Sequence, residues 1–174
     1  MSDLTKTFSS LLLAMVKAAN PAETGVTEAS YSFGAPTADA TQAGKNTSLT
    51  LTAAAQSGYT GTQIVYYNRL SLTAIGATGD LQFDAEGKTR ISDAVAEFNT
   101  RFRTNLVAGT DYTDGDLPDF DGTPGESKQI TVTALAGSHV YLDNVIITLK
   151  VATRDLAEVI SNNNLDGLTY EPVV

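Results

Sequence analysis

Residues 111–121 (DYTDGDLPDFD) carry five carboxylates in eleven positions, the densest run of reactive groups in the chain. Acids gathered this closely are ligands for a hard cation such as calcium, and Asp114, Asp116, Asp119 and Asp121 are the candidate donors. The spacing departs from an EF-hand loop, which needs acids at positions 1, 3 and 5, then Gly, then a distal Glu. Here Asp114-Gly115-Asp116 runs into Leu117-Pro118, and Asp119-Phe120-Asp121-Gly122 matches only a fragment. Water relieves repulsion among exposed carboxylates as a cation does, so a solvated acidic loop is the preferred reading. The same residues are poor general acids or bases, because that role needs a shielded carboxyl with a shifted pKa.

The other chemistry-bearing types are sparse. There is one His and no Cys, which excludes thiolate chemistry, disulfides, Cys-ligated zinc and a poly-His metal site. His139 reads as a surface or half-buried residue of a strand, with Asp143 the nearest carboxylate partner in sequence. No Ser sits in a Gly-flanked elbow, and neither phosphate-cradling glycine motif is present. No catalytic group and no cofactor is expected. The cluster YYNRL (66–70) offers Tyr and Arg, types favoured at interfaces. Tyr66 and Tyr67 must point to opposite sheet faces, so at least one belongs to the core. Tyr67 and Arg69 are the interface candidates here, with Leu168 and Tyr170 near the C-terminus.

The formal net charge of −9 over 174 residues argues against binding nucleic acid or an anionic membrane surface. Thr is abundant, 24 against 12 Ser, and a β-branched residue favours half-exposed strands. The length suits a single domain over 1–174, with an N-terminal helix at 3–19, a β-rich body at 26–153 and an extended tail at 165–174. The apolar run at 11–16 is too short to span a bilayer, and its flanks do not fit a leader peptide. Leu4, Phe8, Leu11, Leu12, Met15 and Val16 instead share one helical face, capped by Ser2 or Asp3 and ended by Asn20-Pro21.

Alternation predicts strands at 26–34, 46–55 and 62–73, the last with a phase shift near Asn68 that marks a bulge or bend. Further strands are expected at 128–136 and 140–153, turning at Gly137-Ser138. Period-3.6 spacing of Ile91, Val95, Phe98, Phe102 and Leu106 predicts a helix over 91–106, capped by Thr89 or Ser92, with an outward Glu97–Arg101 pair. Residues 155–161 read as one or two helical turns. The hairpins that open at 49–53 (LTLTA) and 130–134 (ITVTA) look alike, and chance or convergent hairpin patterning is the preferred reading over duplication. The fold class is α+β, an antiparallel β-sheet or small β-sandwich with two to three packed helices.

The stretch 43–72 holds GKNT (44–47), LTLT (49–52), SGYTG (57–61) and YNRL (67–70). With ANP at 19–21 and LDGLTY at 165–170, it resembles a module of virion structural proteins from large tailed bacteriophages. That resemblance implies a non-enzymatic building block of the particle, found in the virion after assembly in the bacterial cytoplasm. Tail or baseplate is the first expectation, and capsid decoration or neck the alternative. Partners would be other virion structural proteins and further copies of the chain in a homo-oligomer. Thr-rich strand edges and the 165–174 tail are the expected contact surfaces. The rival reading is a carbohydrate- or cell-surface-binding module in which Tyr59, Tyr67 and the acidic loop form a calcium-assisted site.

Overall fold

The computed structural model describes residues 4–153, and within them the fold is α+β, with three α-helices and nine strands. Strand β3 (Thr47–Ala53) is the centre of a four-stranded antiparallel sheet. Strand β4 (Thr62–Tyr67) flanks it on one side, while β1 (Tyr31–Phe33) and β2 (Thr37–Ala38) share the other. The pleat buries Thr47, Leu49 and Leu51 and turns Thr50 and Thr52 to solvent. Helix α1 (Phe8–Ala19) lays Phe8, Leu12 and Val16 against Leu49, Leu51 and Tyr67, forming a small core. Each such side chain, once fully buried, contributes about 1.5–3 kcal/mol.

A second, larger core lies around β9 (Asn144–Lys150). Strand β9 pairs antiparallel with β7 (Ser127–Thr133) and parallel with β6 (Gln82–Asp84). Helix α3 (Ile91–Phe102) supplies Ala94, Val95 and Phe98 to this core, against Phe83, Ile147 and Leu149. Two short elements join the halves. Strand β5 (Leu70–Ser71) continues from β4 and pairs parallel with β8 (Tyr141–Leu142), and helix α2 (Leu72–Gly76) follows at once. Gly76 packs so closely on β9 that a Cβ there would lie 2.7 Å from Val145 Cγ2.

The structure corrects several sequence-based boundaries. Helix α1 starts at Phe8, not at residue 3, because Thr7 is extended and its Oγ1 accepts the Ser10 N–H at 3.4 Å. Residues 26–30 are not strand, since Glu28–Ser30 close a 3₁₀ turn ahead of β1. The predicted strand 62–73 divides at Asn68, and its last residues belong to α2. The strand over 140–153 divides at Asp143, which takes a left-handed φ of 64°. The connection from β7 to β9 therefore spans 134–143 rather than a tight turn. Helix α3 stops at Phe102 because Arg103 is left-handed, with φ 53°. Leu106 still reaches the core, held by Asn99, whose side chain accepts the Leu106 N–H at 2.9 Å and donates to its carbonyl at 3.0 Å. At the other end of α3, neither Thr89 nor Ser92 caps the helix. The Asp93 carboxylate accepts the N–H groups of Thr89 and Arg90, both at 2.9 Å, and these bonds hold its pKa below the ordinary aspartate value. The predicted Glu97–Arg101 pair is present at 2.9 Å. The predicted turns at 155–161 and the 165–174 tail lie outside the described residues.

Candidate functional site

The acidic run does not converge on a cation. Asp114 pairs with Arg90 Nε at 2.9 Å and accepts the Ser92 N–H at 2.9 Å. The Arg90 hydrogen bond is the main reason its carboxyl sits below the ordinary aspartate range. Asp116 pairs with Arg90 Nη1 at 2.9 Å. Asp119 offers its main-chain carbonyl to Lys128 Nζ. Asp121 accepts the Thr123 N–H at 2.8 Å, and hydrogen bonds from the Thr123 side chain and then its backbone lower the Asp121 pKa. Among the described residues no three His, Asp or Glu side chains come together as a metal site. The candidate calcium set of Asp114, Asp116, Asp119 and Asp121 is thus not gathered into one site: Arg90 takes Asp114 and Asp116, and a local turn takes Asp121.

Asp111 departs furthest from the solvated-loop expectation. It is buried, and its carboxylate accepts Ser138 Oγ–H at 2.6 Å and the Val107 N–H at 3.0 Å. Ser138 is fully buried too, and its Oγ accepts the Tyr141 N–H at 3.1 Å. His139 follows Ser138 in the chain but turns the other way. Its ring lies 4.7 Å from Phe8 and 5.1 Å from Phe33, with Nε2 3.0 Å from the Gly34 carbonyl. Asp111 and Ser138 therefore meet without an imidazole between them, which makes a structural hydrogen bond rather than a nucleophile relay. His139 is half-buried, as expected, but it lies in the connection between β7 and β8 and not in a strand, and it packs among aromatic rings of α1 and β1.

Tyr67 and Arg69 are not at a free surface. Tyr67 is 6% exposed, its hydroxyl donates to the His139 carbonyl at 2.8 Å, and burial pushes its pKa up to about 12. Arg69 is half-buried. Its Nε donates to Thr47 Oγ1 at 3.1 Å, and Nη1 reaches the carbonyls of Ala136 and Ser138, each at 3.2 Å. The Asn46 side chain accepts the Arg69 N–H at 2.8 Å and donates to its carbonyl at 2.9 Å. Asn68 Nδ2 donates to the Gly44 carbonyl at 2.9 Å. The GKNT and YNRL motifs are therefore partners of one another, and they lock the point where the chain leaves the first sheet. The phase shift in the sequence marked this place, but not what held it.

The surface left open lies beside this lock. Among the described residues no strand pairs with the outer edge of β4. The register pairs Thr47 with Tyr67, Leu49 with Val65 and Leu51 with Gln63, and Ala53 N–H donates to the Gly61 carbonyl at 3.0 Å. By alternation, Gly61, Gln63, Val65 and Tyr67 direct their backbone groups to β3, while Thr62, Ile64 and Tyr66 direct theirs outward. The side chains of Ile64 and Tyr66 are exposed as well, at 50% and 37%. Between this edge and α1 runs a largely apolar groove walled by Met15, Ala18, Ala19 and Val65, with Lys45 and Asn68 also lining it. Residues 60–68 (TGTQIVYYN) carry no charge on a chain of net charge −9. Edge strands of soluble proteins are commonly guarded by Lys, Pro or a bulge, and β4 has none of these. The composition of this edge was visible in the sequence. Its openness was not, because strand order is a property of the folded sheet. Tyr59 is exposed at 42%, in the turn that leads into β4. Leu168 and Tyr170 lie outside the described residues.

Comparison with known proteins finds no match among curated proteins and none among solved structures. It finds one family described as a family of unknown function, DUF7941, matching residues 1–172. A match of that extent takes in both cores, the lock at Arg69 and the open edge of β4, and the chain belongs to the DUF7941 family.

Proposed function

We propose that the protein is a non-enzymatic structural subunit of a tailed-phage virion, associated with the tail or baseplate, that works by making contacts with neighbouring subunits. The observation that carries this reading is the edge of β4 that is open among the described residues, with outward backbone groups at Thr62, Ile64 and Tyr66 and a largely apolar groove beside it. Such an edge binds a further strand through main-chain hydrogen bonds and asks little of the side chains. The sequence resemblance to virion modules supports the same reading. The residue pairs with the most chemical promise, Asp111 with Ser138 and Asp114 with Arg90, are spent on internal bonds.

Peptide mass spectrometry on purified particles, with heads and tails separated, tests this. Enrichment in tails is expected. Enrichment in heads would assign the protein to capsid decoration or the neck. Absence from both fractions would overturn the virion reading.

A further inference from the structure

We infer that the occupant of the β4 edge is the β4 edge of a second copy of this chain, paired antiparallel about a twofold axis through Ile64. The inference rests on the assembly reading above and names its partner.

Three observations lead to it. The outward backbone groups belong to Thr62, Ile64 and Tyr66, so the available set is centred on Ile64. A twofold axis there places Ile64 opposite Ile64 and Thr62 opposite Tyr66 of the other copy. Each is then a position where two antiparallel residues exchange both main-chain hydrogen bonds. Second, an isologous contact brings identical charges together, so a chain of net charge −9 associates with itself most readily where it carries none. Residues 60–68 are such a strip. Third, Ile64 and Tyr66 stand on one face of the edge and are exposed in the single copy. Across the axis Ile64 meets its own counterpart, and Tyr66 covers the β-branched Thr62, pairings that favour association. The Gln63 side-chain amide, which donates to the Ile64 carbonyl at 3.0 Å, is displaced by the incoming strand. Two four-stranded sheets become one continuous sheet.

The test uses the full chain, which has no cysteine of its own. Antiparallel residues that exchange both hydrogen bonds have Cα atoms about 5.5 Å apart, within disulfide range. Ile64→Cys should therefore form a covalent dimer on mild oxidation. Thr50→Cys, an exposed residue one strand further in, should not. Light scattering on the unmodified chain across a concentration series should give a mass of twice 18.3 kDa. Ile64→Lys, which sets two like charges face to face at an exposed site, should weaken the dimer by roughly tenfold or more with an unchanged circular dichroism spectrum. A monomeric chain, or cross-linking of Ile64→Cys no greater than that of Thr50→Cys, gives the edge to another occupant and overturns the inference. A dimer that Ile64→Lys leaves intact does the same. Either result would leave the virion reading to be judged by the particle fractions, where absence of the protein overturns that reading instead.

Discussion

Arg69 donates its Nε–H to Thr47 Oγ1 at 3.1 Å across the end of the first sheet, and Thr47 is fully buried where it accepts. The same guanidinium reaches the carbonyls of Ala136 and Ser138 in the second half of the chain. One side chain thus ties β3 to the connection that leads into β8, and it does so through a planar fork that a lysine cannot reproduce. Arg69→Met should cost about 2–3 kcal/mol in urea unfolding, and Arg69→Lys should recover less than half of that. Full recovery with lysine would mean that charge rather than geometry matters.

Tyr67 makes a second tie between the same regions. Its raised pKa of about 12 means that the folded state resists ionisation of the phenol. Against an unfolded value of 10.0, stability is fully present below pH 10 and is lost as the pH rises towards 12. Ultraviolet titration should show a tyrosine that ionises well above the exposed ones. Burial raises Tyr31, Tyr112 and Tyr141 as well, so Tyr67→Phe should remove one tyrosine's share of this high-pH transition, together with about 0.5–1.5 kcal/mol of stability, the ordinary net worth of one hydrogen bond.

The Arg90–Asp114 pair contributes to the response to acid. Asp114 and Asp93 both have lowered pKa values, chiefly through hydrogen bonds from Arg90 and from the Thr89 backbone respectively. Groups depressed in this way contribute stability above the unfolded value of 3.8 that is lost as the pH falls through the folded one. Melting temperatures measured from pH 6 downward should hold steady until close to that value and then drop. Arg90→Gln brings the Asp114 pKa back towards the unfolded value, so it should lower the melting temperature at pH 6 and make the acid-side drop smaller. A variant whose acid profile overlays the original would show that the pair adds nothing.

With Arg90 engaging Asp114 and Asp116, calcium has no vacant cluster to occupy among the described residues. Millimolar calcium or EDTA should leave the melting temperature unchanged. A ligand present at about a hundred times its dissociation constant stabilises by about 2.7 kcal/mol, so a bound ion would be plain in the melting curve. Such a rise would restore the calcium-assisted binding module.

Gly76→Ala should destabilise by about 1–3 kcal/mol, the usual cost of overpacking a filled core. The added Cβ would stand 2.7 Å from Val145 Cγ2 and 3.1 Å from Leu81 Cδ1. The double variant Gly76→Ala, Val145→Ala should recover part of the loss, and chemical unfolding of the three proteins measures this directly.

Local patterning alone determined the long elements: α1 from its apolar stripe, α3 from the spacing of Ile91, Val95 and Phe98, and β3, β7 and β9 from alternation. These signals are legible because a helical face and a pleat repeat with fixed periods, whatever the rest of the chain does. The α+β class followed from them. Short elements such as β5, β6 and α2 leave little signal in the sequence, since each holds less than two periods of its own pattern. Their conformations are imposed by partners distant in sequence, Leu70 by Tyr141 and Gln82 by Thr148. The site followed the same division. The sequence contained the acids, the YNRL cluster and the charge-free strip, because these are matters of composition. Only the tertiary structure decided that Arg90 would neutralise Asp114, that Arg69 would turn inward onto Thr47, and that no described strand would pair with the outer edge of β4. Each of these depends on which segments meet in space, and a hydrogen bond between residues 22 or 69 positions apart leaves no periodic trace in the chain.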